Sequence, residues 1–308
     1  MAGDRSEASR VSRRLRILNV LLRSVVKPRL AATKTPEQAE ADFARFARFV
    51  LRAPRGLHCE RRAGLPELQW ICADPTADRP VLLYFHGGGY ISGSPRAYRG
   101  MLGRLSQLSG VKVAAAAYRL APDHPAPAQF EDAKAVHDSL LAEGFRPDEI
   151  ILGGDSAGGG LALALLADLC ARDRHPAGAF AISPWVDLTL SGASMVENAA
   201  RDPLLPADRA DDLVGFVLGG IAADDPRVSP LFAAFADPPP VRLHVGTTEI
   251  LRDDSRRMEA HLRAAGGRVS LREWPEAPHL WPIFDGYIPE ARETLEDLAE
   301  FIRALDAP

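Results

Sequence analysis

The chain has 308 residues, of which 46% are hydrophobic and 25% are charged, and its formal net charge at pH 7 is −4. This length is sufficient for one large α/β domain or two small ones with a sizeable buried core. The slightly negative charge provides no global attraction for nucleic acid. The three cysteines show neither C-x-x-C nor metal-ligand spacing, which argues against a disulfide framework and suits a reducing compartment.

The first thirty residues predict a basic amphipathic helix, because eight Lys or Arg residues alternate with aliphatic side chains and only two acidic residues. Such a helix could dock peripherally on anionic lipid, or it could lay its apolar face over the protein's own core. The second interpretation is favoured. No secretory signal or membrane-length apolar run is visible, so a cytoplasmic protein is expected.

A second helix is predicted at Ala39–Leu51, preceded by a Thr35-Pro36-Glu37 cap. Residues 1–52 are therefore expected to form an N-terminal helical segment ahead of a catalytic domain at 53–308. Two antiparallel strands are predicted at Leu57–Glu60 and Leu68–Cys72.

From Pro80 onward, apolar runs bounded by Gly or Pro alternate with helical patterns. Strands are predicted near Val81–Phe85, Val113–Ala117, Ile150–Gly153, Ala179–Ile182, Leu243–Val245 and Val269–Glu273. Helices are predicted near Arg96–Leu108, Gln129–Ala142, Gly158–Arg172, Asp253–Ala265 and Pro289–Ala304. Strands that are apolar on both faces and separated by helices indicate an α/β fold whose mostly parallel sheet is covered by helices on both faces.

One segment, residues 188–225, interrupts this alternation. It lacks a strand pattern and is helix-like at Ala207–Leu218. An insertion there is expected to lie over the carboxyl ends of the strands, where open α/β sheets hold their sites. Together with the N-terminal helices, this insertion is predicted to form a helical cap.

The sequence Gly154-Asp155-Ser156-Ala157-Gly158 follows the strand pattern at 150–153 and immediately precedes a helix pattern. G-x-S-x-G in this context is the signature of a nucleophile elbow, a sharp strand-to-helix turn that exposes the serine hydroxyl. Residues two before and two after the serine must be nearly free of side chains, because the turn brings backbone segments close together. Ser156 is therefore the candidate nucleophile.

A run of three glycines, His86-Gly87-Gly88-Gly89, follows the strand at Val81–Phe85. Consecutive glycines allow a loop to present bare backbone N–H groups to a developing oxyanion, and each good donor is worth roughly 3 kcal/mol in the transition state. We predict that Gly88, Gly89 and Ala157 form an oxyanion hole. His86 is expected to brace the loop rather than to act as a base.

A serine nucleophile on such an elbow is followed along the chain first by an acid and then by a histidine. Four histidines follow Ser156, and they are His175, His244, His261 and His279. His279 lies in a proline-rich loop between the last strand and the last helix, so it is the predicted base. The acid must follow the preceding strand, where Glu249 is the first choice and Asp253 the alternative, because Asp253 begins a helix that a carboxylate could simply cap.

These motifs resemble the hormone-sensitive-lipase-like group of α/β-hydrolase carboxylesterases from about residue 80 to the C-terminus. The segments that carry the resemblance are His86–Gly89, Tyr118–Pro125, Gly154–Gly158, Ser183–Asp187 and Glu249–Asp254. The resemblance implies hydrolysis of short- to medium-chain acyl esters without a cofactor or metal, and it leaves a homodimer open. Aligning the motifs places Glu249 on the acid of the family, although the family usually has Asp-Pro-Leu where this chain has Glu249-Ile250-Leu251.

Two rival functions remain open. A deacetylase or amidase acting on a small metabolite would need the same residues as an esterase. The other is a ligand-binding receptor, since the plant gibberellin receptors resemble this family but have lost the catalytic base. Because Ser156 and His279 are both present in this chain, an enzyme is favoured. No H-E-x-x-H, G-x-x-x-x-G-K or G-x-G-x-x-G motif indicates a metal or a nucleotide.

Overall fold

The computed structural model describes residues 11–64, 66–77 and 80–305. Within these residues, eight strands form one sheet in the order β1-β2-β4-β3-β5-β6-β7-β8. The strands are His58–Arg62 (β1), Glu67–Cys72 (β2), Val81–Phe85 (β3), Lys112–Ala117 (β4), Ile150–Asp155 (β5), Gly178–Ile182 (β6), Val241–Gly246 (β7) and Val269–Trp274 (β8). β2 runs antiparallel to β1 and β4, and every other pairing is parallel, which confirms the predicted mostly parallel sheet.

Helices connect the strands and cover both faces of the sheet. They are Arg13–Leu21 (α1), Lys27–Ala32 (α2), Pro36–Val50 (α3), Pro95–Ser109 (α4), Ala128–Ala142 (α5), Ser156–Ala171 (α6), Ser194–Glu197 (α7), Ala210–Leu218 (α8), Arg252–Ala264 (α9) and Pro289–Leu305 (α10). A π-helical turn at Leu22–Val26 joins α1 to α2. None of the described helices is both long enough and apolar enough to cross a membrane.

The core lies in two layers, one on each face of the sheet. In β3, Val81, Leu83 and Phe85 belong to one layer, whereas Leu82 and Tyr84 belong to the other. All five side chains are fully buried, because successive residues of a strand point to opposite faces and both faces are covered. This packing explains why the strand patterns are apolar throughout.

The N-terminal helices pack beside the last helix of the chain. Ser12 caps α1, and its backbone N–H and hydroxyl both donate to the carboxylate of Glu290 in α10, at 2.7 and 3.0 Å. Leu15 and Leu22 are fully buried in the adjoining core layer. One face of the described helix therefore covers the core, and the opposite face is exposed. The part of the predicted helix at residues 1–10 lies outside the described residues.

The insertion at 188–225 contains α7 and α8, and no strand is formed there. α8 falls within the helix predicted at 207–218, while α3 begins at Pro36 rather than at Ala39 because Thr35 accepts a hydrogen bond from Gln38 and caps it. The elbow helix α6 begins at Ser156, two residues before its predicted start.

Candidate active site

The turn between β5 and α6 places Ser156 at the carboxyl edge of the sheet. Ser156 has φ of +52°, a left-handed conformation that is strained for a residue other than glycine. A Cβ atom at Gly154 would lie 2.2 Å from the carbonyl oxygen of Gly158, and one at Gly158 would lie 2.1 Å from that of Phe85. The turn thus requires glycine at both positions, as the sequence predicted.

Ser156, His279 and Glu249 form a continuous hydrogen-bonded chain. Nε2 of His279 lies 2.9 Å from Oγ of Ser156, and Nδ1 lies 2.7 Å from Oε2 of Glu249. All three residues are buried, with Glu249 fully inaccessible. They come from distant parts of the chain, but the parallel strands bring their loops together at one edge of the sheet.

The carboxylate of Glu249 is held on its second oxygen as well. Oε1 accepts hydrogen bonds from the backbone N–H of Gly246 at 2.6 Å and from the hydroxyl of Ser183 at 2.7 Å. Burial by itself disfavours the imidazolium form of His279, yet the adjacent Glu249 carboxylate outweighs it and raises the pKa of His279 above its ordinary value of 6.5. The arrangement can therefore accept and hold a proton on His279.

The other candidate bases and acids lie elsewhere in the molecule. His175 contacts Asp173 at the surface, and His261 contacts the carbonyl oxygen of Ala233. Nδ1 of His244 accepts from the indole N–H of Trp274 inside the core. Asp253 accepts from the backbone N–H of Ser194 and pairs with Arg252, so the carboxylate that meets His279 is that of Glu249.

The glycine loop after β3 borders the same cavity as Ser156. Gly88 and Gly89 have φ of +124° and +63°, and a Cβ at Gly88 would lie 2.1 Å from the carbonyl oxygen of Ser92. Both glycines line the cavity. Ala157 is the second residue of α6, where a backbone N–H has no acceptor within the helix. Gly88 and Gly89 thus line the same cavity as Ser156, and Ala157 follows Ser156 in the first turn of α6.

Asp155 fixes the glycine loop to the elbow, a role that the sequence reasoning did not assign. Its carboxylate accepts hydrogen bonds from the hydroxyls of Tyr84 and Tyr98, at 2.6 and 2.8 Å, and from the backbone N–H of Gly87 at 3.0 Å. Burial raises the pKa of Asp155 to about 6, against the lowering effect of the tyrosine hydrogen bonds. The only sequence signal for this role is the position of Asp155 beside Ser156.

His86 and Tyr118 support the base of the glycine loop. The two rings stack with centroids 4.4 Å apart, and the Tyr118 hydroxyl donates to the carbonyl oxygen of His86 at 2.6 Å. Burial lowers the pKa of His86 to about 4, so its ring is neutral at physiological pH. The expectation that His86 braces the loop agrees with these contacts, and Tyr118 adds a second brace.

The insertion holds the loop that carries Glu249. Nδ2 of Asn198 donates to the carbonyl oxygen of Glu249 at 2.8 Å, and Oδ2 of Asp202 accepts from the backbone N–H of Ile250 at 2.9 Å. Nζ of Lys27, from α2, donates to the carbonyl oxygens of Ala199 and Asp202. Both Asn198 and Asp202 are fully buried, so the N-terminal helices and the insertion are linked to the peptide group that joins Glu249 to Ile250.

A cavity of about 520 Å³ opens above Ser156 and His279. Its walls come from the N-terminal helices, the insertion and the sheet edge, and most of its lining is apolar. Three aromatic residues, Trp185, Phe216 and Phe284, line it, whereas the indole N–H of nearby Trp281 donates to Thr294 in the core. Among the described residues, no group of three or more His, Cys, Asp or Glu side chains is placed to hold a metal ion.

Comparison with known proteins matches this architecture. Residues 82–283, more than half of the chain, match a family described by the alpha/beta hydrolase fold. The chain is similar to an acetyl-hydrolase of Streptomyces hygroscopicus, with 39% identity over 76% of this chain and 79% of the relative. It is also similar to an esterase of Acinetobacter venetianus, with 34% identity over 83% of this chain and 93% of the relative.

A solved structure of an esterase from the bacterial hormone-sensitive lipase family superposes with a TM-score of 0.89 at 35% identity. The match covers 96% of this chain and 99% of that structure. The motifs around Ser156, His279 and the glycine loop fall within the matched family region. The chain therefore belongs to the α/β-hydrolase family, in its hormone-sensitive-lipase-like group.

Proposed function

We propose that the protein is a carboxylesterase that hydrolyses short- to medium-chain acyl esters through an acyl-enzyme intermediate. Ser156 is the nucleophile and His279 is the general base. Glu249 orients the imidazole and stabilises its protonated form. The observation that carries the proposal is the hydrogen-bonded chain from Ser156 through His279 to Glu249 at the base of an apolar cavity.

In the first half of the reaction, Nε2 of His279 takes the hydroxyl proton of Ser156 as Oγ attacks the ester carbonyl carbon. The carbonyl oxygen becomes an oxyanion that accepts hydrogen bonds from the N–H groups of Gly88, Gly89 and Ala157. The proton on His279 then passes to the leaving alcohol, and the acyl group remains on Ser156.

In the second half, His279 takes a proton from water, and the resulting hydroxide attacks the acyl carbonyl. The same backbone N–H groups hold the second oxyanion. When the tetrahedral intermediate collapses, the bond to Oγ breaks, the proton on His279 returns to Ser156, and the carboxylic acid leaves. No cofactor or metal is required for either half of this proposed reaction.

The size class of the substrate follows from the cavity. A volume of about 520 Å³ lies in the range of ordinary small-molecule sites, roughly 300 to 1,000 Å³. Apolar walls favour an acyl chain over a charged group. We propose that residues 1–52 and 188–225 act as the cap, since Leu30, Phe43 and Phe46 from the first and Leu205, Leu213 and Phe216 from the second face the cavity.

The decisive experiment compares the wild-type protein with Ser156→Ala on p-nitrophenyl esters of increasing acyl length. We expect the variant to lose at least about 10³-fold in kcat, because the nucleophile is absent. Ser191→Ala, a serine whose hydroxyl binds Asp187 outside the cavity, is the matched control and is expected to retain turnover. Full turnover by Ser156→Ala would overturn the proposal.

A second candidate function is deacetylation of a small metabolite, because the relative with 39% identity is named an acetyl-hydrolase. Matched acetyl ester and acetyl amide substrates distinguish the two, since an amidase would turn over both at comparable rates. A receptor without catalytic activity would not react at Ser156 with a fluorophosphonate probe, whereas either enzyme would.

The proposal also includes a cytoplasmic location and a homodimer. The location is supported by the three cysteines, which are all free in the described part of the chain. The dimer is supported by β8, which lies at one end of the sheet and pairs within the described residues with β7 alone. Light scattering that gives a mass of 33.3 kDa would contradict the dimer.

A further inference from the structure

We propose that the N-terminal helices dock on an anionic lipid surface and present the mouth of the cavity to it. The docking face is the outward side of α1 and of the π-helical turn after it, here called the basic-apolar face. It comprises the aliphatic residues Ile17, Val20, Leu21 and Val25 and the flanking arginines Arg13, Arg14 and Arg16. The docking itself does not depend on esterase activity, whereas its consequence for substrate supply rests on the proposed function.

The aliphatic part of this face is unusually exposed. The exposed fractions are 70% for Ile17, 64% for Val20, 56% for Leu21 and 58% for Val25. Among the described residues, these four make up most of the large hydrophobic side chains that are exposed, the others being Val196 and Phe232. Clustered exposure of this kind marks a binding surface, whereas single exposed apolar residues are ordinary.

The four residues share one side of the helix. Their spacings from Ile17 of three, four and eight residues place them along one face. Leu15 and Leu22 point the other way and are fully buried, so the helix cannot turn its exposed row inward without removing them from the core. The row therefore stays exposed among the residues that the structure describes.

The charge of this segment identifies the class of partner. Residues 11–36 contain seven Lys or Arg and no Asp or Glu, although the whole chain carries a net charge of −4. Arg13, Arg14 and Arg16 are exposed and form no ion pair with a described acidic side chain. A basic helix with an aliphatic row on its outward face has the composition of an interfacial helix that lies in the headgroup region of an anionic bilayer.

A second copy of the chain fits this face poorly. A two-fold interface would bring the same patch of both protomers together, and so would oppose the three arginines of one face to the three arginines of the other. Anionic phospholipid instead supplies phosphates for the arginines and acyl chains for the aliphatic row. Charge complementarity thus favours lipid.

The basic-apolar face continues into the rim of the cavity. Val25 belongs to the exposed row and also lines the cavity, as do Leu22 and Val26 from the same turn and Leu30 from α2. A lipid surface that covers this row would therefore lie against the cavity mouth. An ester dissolved in the bilayer could then enter the site without crossing bulk water.

The experiment measures co-sedimentation of the full chain with phosphatidylcholine vesicles and with vesicles containing 30% phosphatidylglycerol. We expect binding to the anionic vesicles that weakens as salt rises, and little binding to phosphatidylcholine alone. Equal binding to both vesicles, or no binding to either, would overturn the proposal.

Two variants separate the aliphatic and the charged contributions of the basic-apolar face to vesicle binding. Ile17→Ser/Leu21→Ser removes half of the aliphatic row, and Arg13→Gln/Arg14→Gln/Arg16→Gln removes three charges. Each is expected to bind anionic vesicles about tenfold more weakly or worse. Val196→Ser is the control for the aliphatic variant, because it makes the same kind of change at another exposed apolar site. Arg172→Gln/Arg174→Gln/Arg268→Gln is the control for the charge variant, because it removes three exposed arginines near the amino ends of β6 and β8.

Hydrolysis of a dissolved short-chain ester is measured in parallel and is expected to be the same in all of these proteins, which verifies the fold. If the wild-type protein bound the vesicles but hydrolysed no ester, the docking proposal would stand and the proposed esterase function would be wrong. Loss of a dimer in Ile17→Ser/Leu21→Ser, with unchanged vesicle binding, would show that a second copy covers the face and would overturn the proposal.

Discussion

His279 lies between the hydroxyl of Ser156, which it deprotonates in the proposed reaction, and the carboxylate of Glu249, which we propose stabilises the resulting imidazolium. The longer side chain of Glu249 suits this position because both of its oxygens are fixed, one by His279 and the other by Gly246 and Ser183. An aspartate on the same backbone would reach about one methylene less far. The neighbours of Glu249 thus explain how this chain departs from the usual Asp-Pro-Leu.

The pH dependence of activity tests this electrostatic arrangement. His279 must be neutral to act as a base, and Glu249 raises its pKa above 6.5, so kcat/KM should rise with pH through a value above 6.5. Glu249→Gln removes the charge, and we expect kcat/KM to fall about 10²- to 10⁴-fold and the remaining acid limb to move to lower pH. Profiles of kcat/KM from pH 5 to 9 make the comparison.

Glu249→Asp serves as the control for this prediction, because it keeps the negative charge and alters only the reach of the side chain. Its acid limb should stay closer to that of the wild-type protein than the limb of Glu249→Gln. Identical acid limbs in the wild-type and Glu249→Gln proteins would contradict the assigned role of the carboxylate.

The loop after β7 is the element on which the proposed acid depends, and the insertion holds it in place. Asp202 accepts from Ile250 through one oxygen and from Leu204 and Leu205 through the other. The carboxylate therefore ties the turn between α7 and α8 to the residue that follows Glu249.

Asp202→Asn tests whether this tie positions the acid. The amide NH2 of the variant would face backbone N–H groups that donate to a carboxylate oxygen in the wild-type protein, and two donors cannot bond to each other. We therefore expect kcat to fall roughly tenfold to a hundredfold with a smaller change in KM. Because the Asp202 charge also contributes to the raised pKa of His279, the acid limb should shift to lower pH. Steady-state kinetics across pH measure both effects.

Asp225→Asn is the matched control, since Asp225 lies in the same insertion but pairs with Arg227. An Asp202→Asn protein with the kcat and pH profile of the wild type would show that the loop holds Glu249 without help from the insertion. A protein that loses activity and thermal stability together, with an unmoved acid limb, would point to general unfolding.

At the scale of single elements, the sequence predicted the strands and the elbow well, because each depends on residues that are close together in the chain or in adjacent strands. Gly154 and Gly158 are required by contacts within a few residues or with an adjacent strand. The contact of Asp202 with Ile250 spans 48 residues and depends on how the insertion folds back, so no spacing in the sequence indicates it. For the same reason, the pattern of α1 predicted an amphipathic helix but not which of its apolar residues would remain outside.

Across the whole molecule, the parallel strands gather the loops that carry Ser156, Glu249 and His279 at one edge of the sheet. The dense packing behind these loops buries an ionisable carboxyl group. Asp254 at the start of α9 is fully buried, and its Oδ2 accepts from the backbone N–H groups of Val186 and Asp187. Burial raises the pKa of this carboxyl to about 8 from an ordinary value of 3.8.

This shift makes the free energy of unfolding depend on pH. Since the folded state binds the proton more tightly, the stabilisation is complete below about pH 4 and is lost as pH rises through about 8. Asp254→Asn keeps an oxygen acceptor for both backbone donors and cannot ionise. We expect it to flatten the decline in stability between pH 5 and 8, by up to ~1.4 kcal/mol for each pH unit.

Denaturant titrations at pH 5, 6.5 and 8 measure this prediction, with Asp148→Asn at an exposed position as the control. Wild-type and Asp254→Asn proteins whose unfolding free energies fall in parallel over this range would show that Asp254 is not the group responsible.

The contact between Ser12 and Glu290 gives the molecule a particular order of assembly. These residues are 278 positions apart, so the ribosome makes Glu290, the partner of α1, only after it has added 278 further residues. At roughly 5 to 20 residues per second, the nascent N-terminal segment waits about 15 to 55 s without its packing surface. A nascent chain that has not yet reached α10 lacks one of the elements that share a core layer with Leu15 and Leu22, so these side chains are less covered than in the folded protein.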